Sequence, residues 1–200
     1  NKKSATDFDK ETYLETLRKA AFIDDLIKRH GTIMDKYDPK KKVALIVDEW
    51  GGWYEVEPGT NKNFLYQQNT MRDAVLAGAT LNIFHKHSER VRMANLAQIV
   101  NVLQAVVLTK EEKMILTPTY HVMEMYNVHQ DATNIPVEIK SNDYMFGTEK
   151  LPAVSVSASK DQAGVVHISL TNIDINKGQE ISINLKGITA KAVTGRVLTS

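Results

Sequence analysis

The chain has 200 residues, which allows one large or two small domains. Hydrophobic residues make up 42% and charged residues 24%, a composition typical of folded proteins and not of disordered ones. The formal net charge of +1 gives no electrostatic reason to expect nucleic acid or an anionic membrane as a partner. Cysteine is absent, which excludes disulfides and zinc–cysteine sites and is compatible with the cytoplasm, the periplasm and the exterior alike. No apolar run approaches the ~20 residues of a membrane-spanning helix.

The N-terminal segment predicts one helix from residue 7 to about residue 30. Apolar residues recur there at steps of three and four, and Asp7 or Asp9 can cap the first turn. Gly31 could end the helix, although Ile33 and Met34 could also continue it.

Residues 43–47 predict a strand, because the segment is too short for a helix and rich in β-branched residues. Its apolar residues do not alternate with polar ones, which predicts burial on both faces. This is typical of a strand in a parallel sheet that helices cover.

Two further helices are predicted, one from Thr70 to about His85 and one that starts at Thr117-Pro118. The order of helix, buried strand and helix favours an α/β protein. Residues 93–108 are ambiguous. Polar residues at every third position would suit an apolar helix with a polar stripe, whereas residues 93–100 would also suit a buried strand followed by a short helix.

The last third of the chain has a different pattern, with apolar and polar residues alternating between turns every dozen or so residues. Period-two strands of this kind predict an antiparallel β-sandwich with one face in water. We expect the boundary between the two patterns near residues 133–152. The alternating apolar residues are Val154 and Val156, then Val166, Ile168 and Leu170, then Ile181, Ile183 and Leu185.

The first predicted strand leads directly into Asp48, Glu49 and two tryptophans, Trp50 and Trp53. Chemistry in parallel β/α folds gathers at the carboxyl ends of the strands, where the loops converge on one cleft. Because side chains alternate along a strand, the two carboxylates should point to opposite faces, so that one faces the cleft. A carboxylate next to indole rings suits sugar binding and chemistry at the anomeric carbon. In the alternative interpretation, a carboxylate caps a helix and the tryptophans fill the core.

No metal site is predicted. The pairs His85/His87 and His121/His129 both lack the i, i+4 spacing of a helical zinc site, so surface or hydrogen-bonded histidines are favoured. The basic run at residues 40–42 lies between a turn and a strand, which favours a solvated loop over a phosphate contact.

Three segments resemble the α-L-arabinofuranosidases of glycoside hydrolase family 51. They are VALIVDEWGGWY, NFLYQQNTMRDAVLAGATLNIFHKHSERVRMANLAQIVNVLQAVVLT and TPTYHVMEMYNVHQD, at residues 43–54, 63–109 and 117–131. The D-E-W-x-x-W-Y, Q-N-T-x-R-D and M-A-N-x-A-Q-x-V-N tracts occur in the order and at the spacing of the family. The resemblance covers about residues 8–140 closely and the strand-rich region more loosely.

The resemblance implies an α/β fold, namely the last β/α units of a (β/α)8 TIM barrel followed by part of an antiparallel β-sandwich. It implies removal of terminal arabinofuranosyl groups from hemicellulose or pectin side chains with retention of configuration. Glu49 matches the nucleophile, at the end of the seventh strand, and Trp53 an aromatic residue lining the site. Gln98 matches a glutamine near the end of the eighth strand that contacts the nucleophile and the sugar. The ambiguous segment would then be the last barrel strand.

The sequence departs from the family in two ways. It lacks the Asn-Glu pair that carries the acid/base, and it lacks the first six barrel strands. We therefore expect a C-terminal portion, with residues 1–136 from the barrel and residues 137–200 from a truncated sandwich, and no glycosidase activity in this chain alone. The alternative is a non-catalytic carbohydrate-binding or structural fragment.

The expected partners follow from the same resemblance. They are an arabinose-containing oligo- or polysaccharide, the remainder of the parent enzyme and, as oligomers are common in the family, further copies of the protein. No cofactor, nucleic acid or membrane is expected.

Overall fold

The computed structural model describes residues 3–200. It contains four α-helices and nine strands within this range, together with two short 3-10 turns. The helices are α1 (Lys10–Ala21), α2 (Ile23–Tyr37), α3 (Met71–Lys86) and α4 (Pro118–Tyr126). The strands are β1 (Leu45–Trp50), β2 (Val91–Leu96), β3 (Val107–Lys110), β4 (Lys113–Leu116), β5 (Thr133–Ile135), β6 (Asp143–Phe146), β7 (Glu149–Pro152), β8 (Val154–Lys160) and β9 (Val166–Asn172).

The prediction of one N-terminal helix ending near residue 30 is wrong, because the chain forms α1 and α2 with a break at Phe22. The Phe22 N–H bonds to the carbonyls of Ala20 and Lys19, so the regular i to i−4 ladder is interrupted there. Asp9 caps α1 as predicted, with its Oδ1 accepting the Thr12 N–H at 2.8 Å. The second helix continues past Gly31 to Tyr37.

Strands β1 and β2 pair in parallel, and α3 connects them. This β-α-β unit confirms the predicted parallel pairing. The first strand begins two residues later than predicted and contains Asp48 and Glu49 instead of stopping before them. The ambiguous segment contributes to β2, which ends at Leu96, and no helix forms between residues 93 and 108.

The two faces of this parallel pair differ in burial. Leu45 and Val47 pack with buried residues of the helices, among them Phe84. On the other face, Ile46 is 42% exposed and its register partner Met93 is 55% exposed. The prediction that both faces are buried is therefore wrong for the residues described, since their helices cover one face only.

The C-terminal part forms a three-stranded antiparallel sheet in the order β5-β8-β9. The strands predicted around Val154 and Val166 are confirmed, whereas residues 181–185 form no strand. Ile181 and Ile183 are 41% and 54% exposed there, so the alternating pattern finds no partner strand among residues 3–200. The hairpins β3-β4 and β6-β7 were not predicted.

The expectation that the polar face of the sheet lies in water is wrong for β8. Ser157 and Ser159 are buried because His85 and His129 hydrogen-bond to their hydroxyls, at 2.9 and 2.7 Å. Polar residues at alternating positions therefore face a helix rather than solvent.

Helix α3 joins the two parts of the molecule. Leu76 packs in a core with α1 and Tyr144, while Ala77 and Phe84 pack in the core beside β1. The helix is held at its start by the predicted Thr70, whose side chain and Asp73 form a reciprocal capping box. The division at residue 136 stays a prediction, and β5, just before it, pairs with β8. Among residues 3–200, no helix combines the length and apolarity that crossing a membrane requires.

Candidate active site

The candidate site lies at the carboxyl end of the parallel pair. Glu49 is the penultimate residue of β1, and both it and Asp48 are exposed. Gln98 is also exposed and follows the end of β2 by two residues. The Ala97 N–H donates to the Trp50 carbonyl at 3.4 Å, so the chain segments that carry Glu49 and Gln98 meet at one edge of the sheet.

The two carboxylates lie in a local irregularity of β1. Val47 pairs with Ala94 and Trp50 with Leu96, so three residue steps on β1 oppose two on β2. One extra residue in a strand is a β-bulge, which locally re-aims side chains and is common beside active sites. The simple alternation that predicted opposite directions for Asp48 and Glu49 does not hold through a bulge.

The two tryptophans occupy different environments. Trp50 is 9% exposed and packs edge-to-face on Phe84, with ring centroids 5.6 Å apart. Trp53 is 53% exposed and lies in the loop that follows β1. Core filling therefore describes Trp50, whereas Trp53 presents an accessible indole next to the strand end.

Buried polar side chains hold the loop that carries Trp53. The Gly52 N–H donates to Gln104 Oε1, and the Gly52 carbonyl accepts from Gln67 Nε2 at 3.1 Å. The Tyr54 N–H donates to Gln67 Oε1 at 2.8 Å. Sequence reasoning did not identify either glutamine as a site residue, because Gln104 was only part of the polar pattern between residues 93 and 108 and Gln67 stands in no such pattern.

Arg72 supports the same loop from the start of α3. Its guanidinium lies between the rings of Phe8 and Tyr54, 3.8 Å from each centroid, and donates to the Ser4 and Ala5 carbonyls. Burial raises the pKa of the neighbouring Asp73 carboxyl to about 6, against the opposing effect of hydrogen bonds from Thr70. Burial likewise raises the pKa of the Tyr54 hydroxyl.

A cavity of about 450 Å³ lies between α1 and the Trp53 loop. Its polar side chains include those of Thr12, Glu15 and Lys19, and Trp53 forms part of its wall, whereas Glu49 and Gln98 do not line it. Space of this size next to an exposed indole and hydroxyl groups could accept a sugar ring.

His85 and His129 are held by hydrogen bonds from the sheet, whereas His87 bonds to Asp24 of α2. His129 contacts Ser159 and Ser169, both at 2.7 Å, and its ring centroid lies 4.7 Å from that of His85. Among residues 3–200, no group of three or more histidines and carboxylates has an arrangement that could hold a metal ion.

Residues 48–200 match the model of the α-L-arabinofuranosidase C-terminal domain. The match covers the strand end, the Trp53 loop and everything after them. The chain belongs to the α-L-arabinofuranosidases of glycoside hydrolase family 51. It corresponds to a C-terminal portion of these proteins.

Individual relatives agree with this assignment. An intracellular exo-α-L-arabinofuranosidase of Bacteroides ovatus is 51% identical over all of this chain and 39% of its own length. The crystal structure of the GH51 arabinofuranosidase from Xanthomonas axonopodis pv. citri is 53% identical and superposes with a TM-score of 0.85. That match covers 86% of this chain and 35% of the other. This GH51 arabinofuranosidase portion therefore spans 39% and 35% of the lengths of these two relatives.

Proposed function

We propose that the chain is part of a retaining α-L-arabinofuranosidase that releases terminal arabinofuranosyl groups from hemicellulose or pectin side chains. The observation that supports this function best is the position of Glu49, Gln98 and the exposed Trp53 at or just after the carboxyl ends of two parallel strands. In this proposal Glu49 is the nucleophile, Trp53 lines the sugar site and Gln98 contacts the sugar and the nucleophile.

The chemistry follows from what retention requires. A retaining glycosidase uses two carboxyl groups about 5–5.5 Å apart, one as nucleophile and one as acid/base. Glu49 attacks the anomeric carbon while the acid protonates the leaving oxygen, which gives a glycosyl-enzyme. Water, deprotonated by the same acid/base, then releases arabinose. The side-chain amide of Gln98 can donate a hydrogen bond to the Glu49 carboxylate, which would orient it, or to a sugar hydroxyl.

The acid/base and the rest of the barrel belong, in this proposal, to the remainder of the parent enzyme. The exposed apolar face with Ile46 and Met93 supports this assignment, because interior positions of a barrel strand are covered only when the other strands are present. Strands β1 and β2 would be the seventh and eighth strands of this barrel. Assembly into a homo-oligomer stays a prediction.

The test is the substitution Glu49→Ala in the complete enzyme, with Asp48→Asn as the matched control from the same bulge. Loss of the nucleophile should lower kcat on an aryl α-L-arabinofuranoside by roughly three orders of magnitude or more. The control should lose far less, and both variants should keep the circular dichroism spectrum of the parent. A Glu49→Ala enzyme with unchanged kcat would remove Glu49 from this role.

The 200-residue chain alone should not hydrolyse the same substrate, because no Asn-Glu pair supplies an acid/base. A second candidate function, that of a non-catalytic carbohydrate-binding or structural fragment, is favoured by the accessible Trp53 indole beside a cavity. Titration of this chain with arabino-oligosaccharides tests the second candidate: measurable binding supports it and the absence of binding removes it, whereas robust hydrolysis would overturn the prediction of inactivity.

A further inference from the structure

We infer that Gln67 and Gln104 are positioning residues that fix Trp53 in the sugar site. The inference rests on the proposed role of Trp53 in binding the sugar. Neither glutamine needs to touch the substrate, since each acts on the backbone next to Trp53.

The two side chains bind the backbone on both sides of the tryptophan. Gln104 accepts the Gly52 N–H, and Gln67 donates to the Gly52 carbonyl while it accepts the Tyr54 N–H. Three backbone groups that flank Trp53 are thus bound by two amides, which come from 15 and 52 residues away from Gly52 along the chain. The backbone position of Trp53 therefore depends on these two side chains.

Both glutamines are 1% exposed, and Gln104 also uses its amide nitrogen. Gln104 Nε2 donates to the Asp73 carbonyl at 3.2 Å and to the Thr119 hydroxyl at 3.0 Å. A buried amide that loses its partners is strongly disfavoured, so neither side chain can rotate away without a penalty. These hydrogen bonds link the Trp53 loop to the starts of α3 and α4, and they restrain the loop.

The backbone around Gln104 is shaped for this contact. Gln104 has a φ of 47°, in the left-handed region that a non-glycine residue rarely adopts. A Cβ atom on Gly51 would lie 3.2 Å from Gln104 Cβ, and one on Gly52 would lie 3.0 Å from Gln104 Oε1 and 2.6 Å from the Tyr54 hydroxyl oxygen. Glycines are thus required where Gln104 approaches the loop. Strained residues of this kind concentrate at functional sites.

The test is a double-mutant cycle in the complete enzyme. Gln104→Met removes the amide at similar side-chain size, and a misplaced Trp53 should reduce kcat/KM on an aryl α-L-arabinofuranoside by roughly 10- to 100-fold. In a Trp53→Ala background the same change should cost less than about threefold, because the residue through which Gln104 acts is already gone.

Gln68→Met serves as the control, because Gln68 Nε2 donates to the Tyr66 hydroxyl at 3.5 Å and not to the Trp53 loop. It should leave kcat/KM unchanged in both backgrounds. If Gln104→Met lowers the melting temperature too far to be assayed, Gln67→Met replaces it in the same cycle.

Equal losses with and without Trp53 would overturn the inference, since they would show a general structural role. Unchanged activity in Gln104→Met would overturn it as well. Failure of the proposed function has a different signature, namely a Glu49→Ala enzyme that keeps its turnover, so the two ideas are tested separately.

Discussion

The parallel pair and the antiparallel sheet bury their side chains in different ways. In β8, even the serines are covered, since Ser157 and Ser159 are each 5% exposed against α3 and the turn after α4. In β1, by contrast, the apolar Ile46 is 42% exposed. The polar side chains of β8 are therefore covered by other parts of this chain, whereas the apolar side chain of Ile46 in β1 is not.

This difference shows what residue type alone encodes. An apolar strand residue indicates that burial is favourable, but the element that provides it need not lie among the same 200 residues. The serine face of the antiparallel sheet is covered by α3 and the turn after α4, whereas the open face of β1 and β2 is the surface on which the proposed remainder of the barrel would pack. Substitutions in the parallel pair, in the antiparallel sheet and at the contacts between them test this difference in burial.

The largest effect is expected on the covered face of β1. Phe84→Ala removes a ring that is 5% exposed and packs edge-to-face on Trp50. Loss of the buried area and the remaining cavity should lower the free energy of unfolding of this chain by about 3–5 kcal/mol. Urea unfolding followed by circular dichroism measures the change. Phe64→Ala, at a position that is 68% exposed, should cost less than about 0.5 kcal/mol, and similar losses for both variants would contradict this account.

The contact between α3 and the antiparallel sheet should give the next largest effect. A Cβ on Gly78 would lie 2.6 Å from Thr171 Oγ1, so in Gly78→Ala either the Thr171 side chain must rotate or the helix must move away from β9. Overpacking should outweigh the helical preference of alanine and cost about 2 kcal/mol net.

Thr171→Ala removes the clashing hydroxyl and tests that explanation. In its background, Gly78→Ala should be neutral or stabilising in the same urea experiment. If the cost of Gly78→Ala stays the same without the Thr171 hydroxyl, the clash is not its cause.

The sequence predicted those features that depend on local pattern. The capped starts of α1 and α3, the helix at Thr117-Pro118, the parallel strand and two antiparallel strands all follow from periodicity and cap residues. The break at Phe22 was missed because the apolar spacing continues across it while the helices on either side pack into different cores.

Features that depend on distant contacts could not be predicted in this way. The bulge at Asp48 and Glu49 is defined by its register against β2, which lies more than forty residues away. The roles of Gln67 and Gln104 could be identified only from the fold, which places both side chains against the Trp53 loop. Ile181 and Ile183 alternate as a strand would, but pairing requires a neighbour that pattern alone does not identify.

A smaller, pH-dependent effect is expected at His129, which faces Ser159 and Ser169 of the sheet and the rings of His85, Tyr126 and His167. Burial, together with His85 and His167, lowers the pKa of its imidazole from 6.5 to about 4. The folded state then resists protonation that the unfolded chain accepts. Stability is therefore complete above about pH 6.5 and decreases as the pH falls toward 4.

The loss should be about 1 kcal/mol, because partial exposure of the ring screens the effect. Comparison of unfolding free energies of the parent and His129→Gln between pH 7 and pH 4 isolates the contribution, and the variant should show the flatter curve. Curves that run parallel over this interval would exclude His129 as the source.

The smallest effect in this chain is expected on the open face. Ile46→Ser replaces a side chain that is already 42% exposed, so the free energy of unfolding of the 200-residue chain should change by less than about 0.5 kcal/mol. In the complete enzyme, where the proposed barrel covers this position, the same change should cost about 2–5 kcal/mol. Val47→Ser, on the face that the helices cover, is the matched control and should be destabilising in both contexts. An equally small effect of Ile46→Ser in both would mean that this face stays open to solvent, and the proposed position of β1 in a closed barrel would have to be abandoned.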